Sequence, residues 1–314
     1  MGTDANLVQL AESVGSRPYL LLALLIGACT IAVLALVFAV RWSDSHARRI
    51  WGRARQGWAK LAMRPAMRAL EVRFPWVWRA MRSLSAAEYL LLHLTIGFAV
   101  ALAGLFFTKL GQSVAEGRTM VAVDLALAGA LHRSASAEGR EVIDLFTTFG
   151  GGLGIPVLGV AVGAVLAIKR LKLLLLGWAV ALSGAGILNT ALKASYARAR
   201  PVHVEPYILA QGWSFPSGHS MATLVAAGML AYLGILFVQS PARRLLVVVL
   251  AIAWTVAMGF SRMYLGVHYL SDVMAGFAAG TVWLGACVTG LEIARRRPRT
   301  AASDVPAYAP QPPG

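Results

Sequence analysis

Three short polar clusters hold the residues of this sequence best suited to chemistry. The first runs Lys193-Ala-Ser-Tyr-Ala-Arg-Ala-Arg200-Pro201, and the second is Pro216-Ser217-Gly218-His219. The third starts at Ser261-Arg262 and ends at His268-Tyr-Leu-Ser-Asp272. Lys193, Arg200 and Arg262 offer three positive charges to a dianion, and an arginine fork grips two phosphate oxygens at once. Gly218 lets backbone approach a ligand closely, and Ser217 adds a hydroxyl donor. If these two open a helix, its free N–H groups form an anion site. His268 and Asp272 are four apart, so on a helix they share a face. A carboxylate on one imidazole nitrogen fixes the tautomer and leaves the other nitrogen a lone pair for attack. His219 supplies a second imidazole, suited to protonating a leaving alkoxide. Singly, most of these residues have plainer readings. Lys193 and Arg262 fit snorkelling helix ends, Arg200 a topology charge, His219 an interfacial histidine and Asp272 a partner for any cation. Their shared order and placement favour a phosphate site.

The elements that must position them are membrane helices. Hydrophobic residues make up 58% of the chain and charged residues 14%, with mean hydropathy +0.66. That leaves too little polar surface for a water-soluble globule. A spanning helix needs about 20 apolar residues. Seven stretches approach this: 19–40, 86–109, 142–168, 171–192, 217–238, 245–260 and 269–293. The first is too long for a signal peptide and lacks a cleavage site, so it reads as a retained anchor. Cys29 and Cys287 lie inside apolar stretches, without metal-ligand spacing, and read as packing residues.

The net charge of +15 comes with a pattern. Basic residues cluster between Arg41 and Arg82, at Lys169, Arg170 and Lys172, at Arg243 and Arg244, and from Arg295 to Arg299. These four groups fall on alternate turns, so all can be cytoplasmic together. The expected orientation has the N-terminus outside and the C-terminus inside a bacterial cytoplasmic membrane. Segments 110–141, 193–216 and 261–268 then face the periplasm or exterior, with all three clusters at one face. The same pattern argues against nucleic-acid binding, because the basic residues flank apolar runs. Segment 48–84 sets Trp51, Trp58 and Leu61 opposite Arg49, Arg53 and Lys60. It reads either as an interfacial helix drawn to anionic lipid headgroups or as a basic linker. Residues 300–314, rich in Ala and Pro, are expected to be disordered. Asp124, Asp144 and Glu205 read as isolated carboxylates that offer no metal cluster. His203, His46 and His132 read as loop or interface residues, and His93 as buried against a neighbouring helix. Trp213 and Phe215 suit a lipid contact, a substrate path or plain loop packing.

Together the clusters fill every position of K-x6-R-P, P-S-G-H and S-R-x5-H-x3-D. The chain thereby resembles the type 2 phosphatidic acid phosphatase (PAP2) superfamily over roughly residues 86–293. The resemblance implies an all-α membrane protein with a six-helix bundle, here preceded by one extra N-terminal transmembrane helix and the basic amphipathic segment. The expected division is an anchor and basic segment at 1–85, the phosphatase core at 86–293 and a cytoplasmic tail at 294–314. It also implies roles. His268 would be the nucleophile that forms a phosphohistidine, Asp272 would orient it, and His219 would protonate the leaving group. Lys193, Arg200, Ser217, Gly218 and Arg262 would hold the phosphoryl oxygens. No metal or other cofactor is implied. The expected substrate is a membrane lipid phosphate or diphosphate, of the undecaprenyl diphosphate or phosphatidylglycerol phosphate type. No protein partner can be inferred. Phosphotransfer to another lipid uses the same residues and is the alternative, and a non-catalytic lipid-binding protein ranks below it. Haloperoxidase activity, also associated with this kind of site, suits soluble enzymes.

Overall fold

The computed structural model describes residues 2–31, 34, 84–203 and 206–296, with side chains of the helix that begins at residue 84 described from His93 onward. The end of the first expected span, the basic segment with its tryptophans, His46, Glu205 and the tail lie outside the described residues.

Most of the described residues are helical. In chain order the helices are α1 (Gly2–Gly15), α2 (Pro18–Ile31), α3 (Leu84–Ala115), α4 (Thr119–Ser134), α5 (Ala137–Thr147), α6 (Gly154–Ile168), α7 (Lys172–Tyr196), α8 (Gly218–Phe237), α9 (Pro241–Tyr264) and α10 (Leu270–Arg296). A π-helical turn, Thr148–Gly152, joins α5 to α6. Among the described residues, six helical stretches are long and apolar enough to cross a membrane: α3, α5 with α6, α7, α8, α9 and α10. Helices α1 and α2 meet at 104°. They qualify as a seventh span only if that bent pair is taken as one.

Segment 110–141, expected to be a connection, contains α4 instead. Its sixteen residues rise only about 24 Å, short of the roughly 30 Å of a hydrocarbon core. A search for spans therefore passes over it. It is built into the protein by a buried face of Leu127, Ala128, Ala130 and Leu131, against which α1 packs. The third span also begins earlier than its apolar run. Ser136 accepts from the Gly139 N–H and starts α5 at Ala137.

The main core lies between α6, α7, α8 and α10, around Trp178, Met221, Val225 and Met229. Two indoles stitch helices together, Trp178 donating to the Gly159 carbonyl and Trp283 to that of Ala181, each at 2.9 Å. Where α8 crosses α10 the backbones touch. A Cβ at Gly276 would lie 2.6 Å from the Ser217 carbonyl oxygen, so only glycine fits. The Ser217 N–H donates to the Asp272 carbonyl at 2.9 Å in the same crossing. This alternation brings the ends of α7 and α9 and the starts of α8 and α10 to one side of the bundle, and the three polar clusters with them.

Helix α7 ends on Ala197, whose φ of 43° is left-handed and whose N–H donates to the Lys193 carbonyl at 3.0 Å. An L-residue there costs about 1–2 kcal/mol. The turn aims the following arginines back toward α10, and the Ser214 N–H pins it by donating to the Arg198 carbonyl at 2.8 Å. Ala197→Gly is expected to leave thermal stability in detergent unchanged or slightly raised. Ala197→Val is expected to lower it by several degrees, because a β-branched side chain fits this conformation worst. Thermal scans of the purified variants check both.

Candidate active site

His268 follows the tight turn 265–267, directly before α10, and is 3% exposed. Its Nδ1 lies 3.3 Å from Asp272 Oδ2, one helical turn on. Asp272 is fully buried and thoroughly satisfied. Oδ2 accepts from the Tyr269 N–H at 2.9 Å and from the Ser214 hydroxyl, while Oδ1 accepts from Arg198 Nη1 at 2.7 Å. A carboxylate so placed selects the tautomer with the proton on Nδ1, which leaves Nε2 as the basic nitrogen. Burial pulls the His268 pKa down to about 4 against the opposing pull of Asp272, with Arg200 and Arg262 adding to the fall. The ring is therefore neutral at physiological pH.

Arg200 reaches this nitrogen. Its Nη1 is 3.3 Å from His268 Nε2 and donates to the Val267 carbonyl at 2.8 Å. Its Nε and Nη2 donate to the carbonyls of Gly212 and Gln211. Lys193 donates to the next carbonyl along, that of Trp213. Arg262 is 7% exposed, and its buried Nε has no hydrogen-bond partner among the described residues. Ser217 caps α8, accepting from the N–H of Ser220 at 3.4 Å and from its hydroxyl at 2.9 Å. The Ser217 hydroxyl proton remains available for another acceptor. Gly218 faces Asn189 of α7, where a Cβ would stand 2.8 Å from Oδ1, and Asn189 donates to the Pro216 carbonyl at 3.3 Å.

His219 lies within electrostatic reach of Arg262, His268, Lys193 and Arg200. Its ring rests on the π turn. A Cβ at Gly151 would sit 2.8 Å from His219 Cδ2 and 2.9 Å from Met258 Cε. The Gly150 carbonyl there accepts from the Trp254 indole at 3.0 Å. A π turn between two helices commonly marks a functional position, and here it makes room for an imidazole.

All eight expected site residues thus lie at one end of the bundle. The structure adds residues that sequence reasoning passed over. Asp124, read as isolated, is fully buried and accepts from Arg198 Nη2 at 2.8 Å, from the Ser271 N–H at 2.9 Å and from the Ser271 hydroxyl. That corrects the sequence reading. A carboxylate one face away on a separate helix has no local signal, because its partners are 74 and 147 positions distant. Ser214, Asn189 and Gly151 were missed for the same reason. Phe215 is fully buried against Phe107 and Tyr196, which settles it as loop packing, while Trp213 stays half-exposed. His203, expected as an ordinary loop residue, stacks on His132 with ring centroids 4.0 Å apart. Among the described residues no three His, Cys, Asp or Glu gather in a way that could hold a metal ion.

The chain is similar to known proteins over part of its length. Residues 172–296 match the PAP2 superfamily. Phosphatidylglycerophosphatase B of Bacillus subtilis is 36% identical over 95 residues, covering 30% of this chain and 46% of that protein. The lipid A 1-phosphatase of Rhizobium etli is 39% identical over 104 residues, covering 30% of this chain and 40% of that protein. The chain thus spans less than half the length of these curated relatives. A crystal structure of a transmembrane PAP2 type phosphatidylglycerolphosphate phosphatase from Bacillus subtilis superposes with a TM-score of 0.56 at 28% identity, covering 64% of this chain and 100% of that one. The matched residues hold all three polar clusters, and over them the chain is similar to the PAP2 superfamily.

Proposed function

We propose that this protein is a membrane lipid phosphatase that hydrolyses a lipid phosphate or diphosphate through a phosphohistidine on His268. The observation that carries the reading is the His268–Asp272 pair, with His268 Nε2 beside Arg200. Nε2 attacks phosphorus, the bond to the lipid oxygen breaks, and His219 gives that oxygen its proton. Water then attacks the phosphohistidine, His219 takes its proton, and the N–P bond breaks. Lys193, Arg200 and Arg262 hold the phosphoryl oxygens, joined by the Ser217 hydroxyl and the N–H groups that open α8. The names of two relatives support phosphatidylglycerol phosphate as the first substrate to assay. The alternation of basic turns supports a site at the outer face, with the C-terminus in the cytoplasm.

Purified protein in detergent is expected to release phosphate from phosphatidylglycerol phosphate in the presence of EDTA. His268→Gln is expected to lose at least a thousandfold in rate. Activity of that variant within tenfold of the wild type rejects the mechanism. Transfer of labelled phosphate to an added lipid alcohol, in place of release to water, would mark phosphotransfer. Arg262→Ala is expected to weaken orthovanadate binding by about 10–100-fold, the loss of one charged hydrogen-bonding group, as measured by calorimetry.

A further inference from the structure

The first polar cluster contains an arginine that the proposed mechanism leaves unused. Arg198 is two positions before Arg200, yet the two sit in opposite surroundings. Arg200 rests on neutral backbone carbonyls. Arg198 spends both terminal nitrogens on buried acidic and hydroxyl groups. Nη1 donates to Asp272 Oδ1 and Ser271 Oγ, each at 2.7 Å, and Nη2 donates to Asp124 Oδ2 at 2.8 Å. Its guanidinium also lies over the Tyr269 ring, 4.3 Å from the centroid. The group sums to one positive and two negative charges. Such a site repels a dianion, and its fork has no open side for phosphate.

We infer that Arg198 and Asp124 are positioning residues, which lock the Asp272 carboxylate so that its other oxygen stays facing His268 Nδ1. This rests on His268 being the nucleophile. Asp272 has two oxygens to orient and is fully buried. Fixing Oδ1 on Arg198 directs Oδ2 toward Nδ1. Asp124 holds Arg198 from the far side and is itself anchored on the Ser271 N–H, in the same turn as Asp272. The loop therefore closes on itself: Asp272 to Arg198, Arg198 to Asp124, Asp124 to Ser271, and Ser271 back to Asp272 along the chain. The two carboxylates outweigh burial and hold the Arg198 pKa above its ordinary value. Without Arg198, two buried carboxylates would stand close together without a cation, and one would take up a proton. A protonated or rotated Asp272 no longer fixes the tautomer of His268. Misplacement of a reacting group by about 1 Å can cost a hundredfold in rate.

The test compares Arg198→Gln, Arg198→Lys and Asp124→Asn with wild type, assaying phosphate release from phosphatidylglycerol phosphate and orthovanadate affinity. For Arg198→Gln and Asp124→Asn, kcat is expected to fall about a hundredfold, with the vanadate Kd within threefold of wild type. Arg198→Lys keeps the charge but not the fork, and is expected to recover no more than a tenth of the lost rate. A vanadate Kd raised more than tenfold with kcat intact would make Arg198 a phosphate ligand, and kcat within threefold of wild type would make it merely structural. Either result overturns the assignment. If Arg198→Gln does not survive purification, Asp124→Asn decides by the same limits. His268→Gln assayed alongside separates the two failures: its activity would sink the nucleophile itself, whereas an inactive His268→Gln beside a fully active Arg198→Gln would sink only the positioning role.

Discussion

The fixed point of this molecule is a carboxylate without solvent. Asp272 takes four donors from two separate parts of the chain: Arg198 and Ser214 from the connection between α7 and α8, and His268 and Tyr269 from the turn before α10. A buried charge is tolerated only when it is paired and hydrogen-bonded on every side. That requirement propagates outward. The connection from 197 to 217 must fold back across α10, so α7 must end in a left-handed residue. Helix α8 must cross α10 closely enough for the Ser217 N–H to reach the Asp272 carbonyl, so residue 276 must be glycine. Helix α4 must lie beside α10 to bring Asp124 to Ser271. The bundle's geometry at this end follows from one group that water cannot reach.

This also explains which parts of the structure were legible in the sequence. The five spans from α3 and α7 through α10, with α5 and α6 as the sixth, announce themselves as long apolar runs, since the solvent of a membrane protein is written directly into composition. The His268–Asp272 pair was legible because its spacing is a single helical turn. Helix α4 was not, because it is too short to span and looks like any connecting segment. Its worth lies in one face and one residue, Asp124, whose partners come from α10 and the α7–α8 connection. Arg198 was hidden differently. It stands in plain view between Lys193 and Arg200, and nothing about residue type separates an arginine that meets carboxylates from one that meets carbonyls. Only the fold distributes the two.

The cations pose the opposite problem. Among the described residues, Lys193, Arg200 and Arg262 converge with no carboxylate among their direct hydrogen-bond partners. The structure moderates this by lending them backbone. The consecutive carbonyls of Gln211, Gly212 and Trp213 accept from Arg200 and Lys193. Such contacts are weaker than those a phosphoryl dianion can make, because a neutral oxygen carries only partial charge. Among the described residues, Arg262 lacks even this for its Nε. On the proposed function, an anion entering the site would exchange a set of modest contacts for strong ones, without first breaking an ion pair. Arg198 marks the contrast. Its contacts are to full carboxylates, and an incoming anion has nothing stronger to offer it. Two arginines separated by one alanine are therefore assigned to different tasks by the charge of the oxygens they already touch.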